Sequence, residues 1–67
     1  GTIFNAANEV AVESFLNNRI NFDKIYEVIY RTFNNDNMSN DLTIESINEV
    51  DQQTRIRAEK VVESITN

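Results

Sequence analysis

The sequence predicts an all-α fold, a small bundle of three helices forming a single domain over residues 1–67. Three observations predict it. Apolar residues recur every three or four positions along most of the chain, the period of an amphipathic helix. There is one glycine, Gly1, and no proline, whereas hairpins and tight turns usually call for one or the other. The stretches between the periodic segments are rich in Asn and Asp, which bond nearby backbone and compete with helix. Helices are expected over about 3–17, 23–34 and 43–66.

The first helix carries Ile3, Phe4, Ala6, Ala7, Val10, Ala11, Val12, Phe15 and Leu16. These cover far more than the ~100° stripe of a surface helix. Only Glu9 and Glu13 mark a narrow polar side. Such a helix expects neighbours on more than one side, and its small alanines let at least one come close. Asn17 to Phe22 reads as a short connection.

In the second helix, Ile25, Val28, Ile29 and Phe33 share a face flanked by Tyr26 and Tyr30, with Lys24, Glu27 and Arg31 opposite. Glu27 and Arg31 stand four apart with the acid first, the better orientation for an ion pair. Asn21 or Asp23 is the expected N-cap. A polar loop, Asn34 to Asp41, follows.

The third helix shows a stripe of Ile44, Ile47, Val50, Thr54, Ala58, Val61, Val62 and Ile65. Thr43 is the expected N-cap, and Leu42 and Ile47 fall at the positions of a hydrophobic staple. Lys60 suits the C-terminal dipole and Glu63 does not. Ile56 points away from the stripe, so it is either exposed or meets something outside this helix.

Composition narrows the function. The absence of histidine removes the commonest general base and metal ligand, and the absence of cysteine removes any disulfide. A net charge of -5 repels nucleic-acid phosphates. No apolar run is long enough to span a membrane. A soluble, cytoplasmic chain is expected. At this length a domain buries only roughly 60% of the surface its unfolded chain exposes, so the stability margin is thin.

Candidate chemistry is sparse. Asn5 and Asn8 fall inside the apolar arc of the first helix. They read either as substrate or backbone contacts or, preferably, as interhelix hydrogen bonds that set packing register. Asn8 is expected to be buried and bonded to the third helix, with Asn8→Leu costing about 1–3 kcal/mol. Glu9 with Glu13, and Glu45 with Glu49, stand at the spacing that lets carboxylates share a divalent cation. With no further oxygen ligand in view, a solvated acidic face is the better reading. Asp51 either pairs with Arg55 at i,i+4 or caps a new helical segment and breaks the third helix. Ser14, Ser39, Ser46 and Ser64 have no histidine to activate them. Lys24 and Lys60 read as solvated. The six aromatic residues, Phe15 among them, read as core rather than as a ligand box. No glycine-rich phosphate loop is present.

One string is more specific than any of this. Phe4-Asn5-Ala6-Ala7-Asn8-Glu9-Val10-Ala11-Val12, then Ser14-Phe15-Leu16 and Ile20-Asn21-Phe22, resembles the C-terminal domain of the 1-deoxy-D-xylulose 5-phosphate reductoisomerases. Ile44-Glu45-Ser46-Ile47, Val50-Asp51 and Arg55 to Ala58 extend the resemblance along the chain. Phe4 where the family has Leu, and Ser14 where it has Ala, are mild departures.

The resemblance implies a structural module, three of the four helices of a four-helix bundle, within an oxidoreductase of non-mevalonate isoprenoid biosynthesis. Such enzymes convert 1-deoxy-D-xylulose 5-phosphate to 2-C-methyl-D-erythritol 4-phosphate with NADPH and Mg or Mn. The NADPH-binding and catalytic domains and the preceding helix are expected to lie outside this chain. No catalytic, cofactor or metal residue is therefore assigned within it, and Asn5, Asn8, Phe15 and Asp51 are expected to be structural. The expected partners are the rest of the enzyme and, for the chain alone, a second copy of itself. The alternative is an independent helical module that binds a partner helix. A third, weaker reading is a small acidic metal binder.

Overall fold

A computed structural model describes residues 1–34 and 46–66. Its three described helices are α1 (Thr2–Leu16), α2 (Lys24–Phe33) and α3 (Ile47–Thr66). The expected Thr43 cap, the Leu42–Ile47 staple and most of the polar loop lie outside the described residues. Each pair of helices packs together, and α1 meets both α2 and α3. A first helix apolar nearly all round is thereby accommodated, with neighbours on two sides.

The core is built around small residues. Ala6, Ala7, Ala11, Val28, Ala58 and Val62 are fully buried, and Ile20 is nearly so. Alanine at a helix contact lets two backbones approach, since interaxial distance follows the size of the side chains between them. Val10, Phe15, Ile25, Ile29, Val61 and Ile65 pack around this centre.

Two buried hydroxyls sit among them without cost. Thr32 Oγ1 donates to the Val28 carbonyl and Thr54 Oγ1 to the Val50 carbonyl, each at 2.7 Å. Both bonds run back one turn along their own helix, so neither threonine needs a partner across the core.

Close packing overturns one expectation. The aromatic residues do not form the core. Phe4, Phe22, Tyr26, Tyr30 and Phe33 are all about half exposed or more, and only Phe15 is half-buried. Helices held together by alanines leave no room between them for rings, so the rings lie outside the contact. The buried face of α2 accordingly turns toward Val28 and Thr32 and away from Phe33. Ile47, placed on the buried stripe of α3 by its spacing, is also exposed, as is Ile56.

The ends of α1 and α2 are decided locally. Asn18 adopts φ 63°, the left-handed region that asparagine tolerates better than most residues. Its N–H donates to the Phe15 carbonyl at 3.0 Å, and the Arg19 N–H to the Ser14 carbonyl at 2.8 Å. This is a Schellman closure with asparagine in the usual glycine position. It reverses the chain and delivers Ile20 into the core. At the start of α2, Asp23 precedes the helix but makes no side-chain cap hydrogen bond. Its own backbone is already helical, so the side chain is not placed to reach back, and the expected cap there is absent. Beside α3, Ser46 Oγ accepts the Glu49 N–H at 3.1 Å and satisfies one of the helix's free donors. The helix then runs unbroken through Asp51.

This packing can be tested at two positions. Replacing Ala58 by Leu is expected to destabilise by about 1–3 kcal/mol, because the α3 surface at that point has no space for added methylenes. Asn18→Ile is expected to cost about 1–2 kcal/mol, whereas Asn18→Gly is tolerated, because a β-branched side chain resists the left-handed conformation. Urea unfolding followed by circular dichroism measures both. Equal stability of the isoleucine and glycine variants of Asn18 would contradict the second.

Candidate functional site

An ion-pair network on the α1–α3 face joins two helices. Arg55, on α3, sends one terminal nitrogen to Glu9 Oε1 on α1 at 2.7 Å and its Nε to Asp51 Oδ2 at 3.0 Å. One guanidinium thus ties two helices and one turn of its own helix. The hydrogen bonds that it donates to Glu9 and Asp51 hold its proton more tightly than in free arginine. A second tie lies near the turn, where Arg19 meets Glu59 at 2.7 Å, and that bond likewise raises the Arg19 pKa.

On α2, Glu27 stands between Lys24 and Arg31, at 3.3 Å from each. The Lys24 hydrogen bond, then its charge, holds the Glu27 carboxyl below its ordinary value. Lys24 is therefore paired rather than merely solvated. The expected Glu27–Arg31 pair is present.

Asp51 resolves in favour of the ion pair, and its capping role is not taken up. Phe15 is half-buried and meets Phe22 edge-on, with ring centroids 5.6 Å apart and planes at 70°. That contact closes the α1–α2 corner.

Asn5 and Asn8 do not behave as expected. Asn5 is exposed and Asn8 only half-buried. Asn8 lines a shallow open groove on α1 with Glu9, Val12, Glu13 and Leu16. Among the described residues it makes no hydrogen bond to α3. The buried seam of α1 runs through Ala6, Ala7, Ala11 and Ser14, which leaves both asparagines off the contact. The 1–3 kcal/mol penalty expected for Asn8→Leu no longer follows, since an accessible amide keeps water as its partner.

The acidic residues do not assemble a metal centre. Glu9 spends one carboxylate oxygen on Arg55, and Glu13 points from the same exposed side of α1. Among the described residues no three His, Cys, Asp or Glu side chains are grouped to hold a cation. Glu45 lies outside the described residues. With Gly1 the only glycine, the chain also offers no glycine-rich loop for a dinucleotide phosphate. Among the described residues there is thus no grouping that fits NADPH or a divalent cation, and no reaction step is assigned to them.

Two other depressions flank the network. A shallow groove between α1 and α3 is lined by Val10, Ile56, Lys60 and Glu63 beside the Arg55–Glu59 region. A small polar cleft lies between Glu13, Ser14, Asn17 and the two arginines. Each arginine there already faces a carboxylate, Arg19 that of Glu59 and Arg55 those of Glu9 and Asp51. Among the described residues no helix is long and apolar enough to cross a membrane.

Sequence reasoning found Arg55–Asp51 because the two share one helix. It missed Arg55–Glu9 and Arg19–Glu59, whose partners are far apart in the chain and carry no spacing signal.

Comparison with known proteins places these features. The family model described as the DXP reductoisomerase C-terminal domain matches residues 1–57. The 1-deoxy-D-xylulose 5-phosphate reductoisomerase of Halothermothrix orenii is 44% identical over 59 residues, 88% of this chain and 15% of that protein. Those of Buchnera aphidicola from Acyrthosiphon pisum (strain APS) and from Schizaphis graminum are 42% and 36% identical over 64 residues, 96% of this chain. The chain spans only 16% of the length of either. No solved structure matches. The family model covers α1, α2 and about half of α3, and the chain belongs to the DXP reductoisomerase C-terminal domain family.

Proposed function

We propose that the chain serves as the C-terminal supporting domain of a 1-deoxy-D-xylulose 5-phosphate reductoisomerase. The observation that carries this reading is the family match over residues 1–57. The whole enzyme, on this reading, rearranges and reduces 1-deoxy-D-xylulose 5-phosphate to 2-C-methyl-D-erythritol 4-phosphate in the cytoplasm. NADPH and Mg or Mn are held, on the same reading, by parts of the protein outside this chain, in keeping with the lack of a metal-ligand cluster among the described residues.

The contribution of this chain is mechanical. The alanine seam and the Arg55 and Arg19 ties make α1, α2 and α3 one rigid unit. Such a unit presents its remaining apolar surface to the rest of the enzyme at a fixed angle, and a site held by rigid elements keeps its geometry better than one held by loops. When separated from that surface, the chain is proposed to associate with itself. The alternative of an independent interaction module has no observation in its favour.

Two assays test this. The chain alone is expected to leave NADPH unconsumed in the presence of 1-deoxy-D-xylulose 5-phosphate and Mg or Mn. A chimera carrying this chain in place of the matching segment of the Buchnera aphidicola enzyme is expected to consume NADPH at a rate within about tenfold of the parent, a difference of about 1.4 kcal/mol. A chimera that folds and binds NADPH but does not turn over would overturn the proposal. So would a parent enzyme that works equally well with the segment deleted.

A further inference from the structure

Of the three buried hydroxyl side chains, Ser14 is the exception. Thr32 and Thr54 return theirs to a carbonyl one turn back on the same helix. The same bond, to Val10, is open to a serine in α1. Ser14 does not make it. The residue is only 3% exposed, yet among the described residues its Oγ has no hydrogen-bond partner. No side-chain nitrogen or oxygen of the described residues is both sealed from solvent and unpaired, so the opening that Ser14 keeps is at its hydroxyl. That opening faces the small polar cleft between α1, the turn after it and α3.

The turn builds the site. Left-handed Asn18 brings the Arg19 N–H onto the Ser14 carbonyl at 2.8 Å, so the Arg19 side chain leaves the backbone beside Ser14. Arg55 and Glu59, one turn apart, supply the α3 wall, and Glu13 and Asn17 stand on the α1 side. Arg19 and Arg55 set two positive charges against the two negative charges of Glu13 and Glu59. A bare ion of either sign therefore meets repulsion, and a neutral hydrogen-bonding molecule does not. Each guanidinium has five N–H donors, and the carboxylates they meet are Glu59, Glu9 and Asp51. Donors remain on both arginines, and Glu13 is left without an ion pair among the described residues.

We propose that the cleft is a water-binding site anchored on the Ser14 hydroxyl. The bound water links Glu13 to Arg19 and Arg55 and joins the two ion-pair ties to α3 into one network. Polar groups that face one space but stand too far apart to bond directly are the setting in which a bridging water forms. The cleft measures about 110 Å³, against about 30 Å³ for one water in the liquid, so there is room for more than one. The site lies wholly within this chain and is independent of the enzyme role proposed above.

A high-resolution crystal structure of the chain is the first test. An ordered water is expected within hydrogen-bond distance of Ser14 Oγ, shared with Glu13 or a guanidinium. A Ser14 hydroxyl that instead donates to the Val10 carbonyl, with Glu13 bonded directly to Arg19 or Arg55, would overturn the site. The second test is a double-mutant cycle of Arg19→Gln and Arg55→Gln, read by urea unfolding. The two are expected to be non-additive by about twofold or more in the unfolding equilibrium constant, as residues in one network are. In the Ser14→Ala background they are expected to become additive. That variant is expected to fold, because alanine is the best helix former. Arg19→Gln with Arg31→Gln, which lies on α2 away from the cleft, is expected to be additive throughout. Additivity of Arg19 and Arg55 in the unmodified chain would overturn the network. Coupling that survives Ser14→Ala would overturn the part assigned to the hydroxyl.

Discussion

Everything in this small domain depends on how closely its helices approach at Ala6, Ala7, Ala11 and Ala58. A chain of this size can bury only a small core and has no cross-link to hold it. It gains stability by bringing backbones together, where many weak contacts form at once. The choice has consequences at each further level. Val28 and Val62 fill what little space is left. Thr32 and Thr54 are admitted because their hydroxyls return to their own helices.

The same constraint displaces the aromatic residues. A core that admits only small side chains cannot also take rings, so the rings collect on the surface of α2 and at its corner with α1. A contiguous exposed aromatic ridge is unusual on a folded domain and generally marks a contact. Membership of a family whose full-length relatives are about six times longer supplies one natural setting for such a surface. The ion pairs have the complementary role. They lie at the rim of the α1–α3 contact, where solvent screens them, so they add less to stability than to register. Arg55 tying Glu9 and Asp51 specifies which turn of α3 meets which turn of α1.

That distribution is in keeping with the supporting role proposed for the domain. Arg19 and Arg55 each face a carboxylate, Glu27 is held by two cations, and the buried threonine hydroxyls are satisfied. Asn8, which lines the open groove on α1 with Glu9 and Val12 of the same family string, is half-open to water.

The sequence by itself determined the fold class, the approximate helices and the family string. These depend on local properties: apolar period, the scarcity of glycine and proline, and the order of residues from Phe4 to Val12. The Glu27–Arg31 and Asp51–Arg55 pairs were legible for the same reason, since each lies within one helix. Only the tertiary structure decided which part of each apolar arc is buried. Helical period places Phe33, Ile47 and Asn8 on an inner arc, but the angle and distance between helices choose the buried strip, and alanine contacts make that strip narrow. The left-handed turn at Asn18 was likewise hidden, because asparagine permits that conformation without requiring it. The ties from Arg55 to Glu9 and from Arg19 to Glu59 join residues distant in the chain, and no local pattern encodes a distance that packing alone sets.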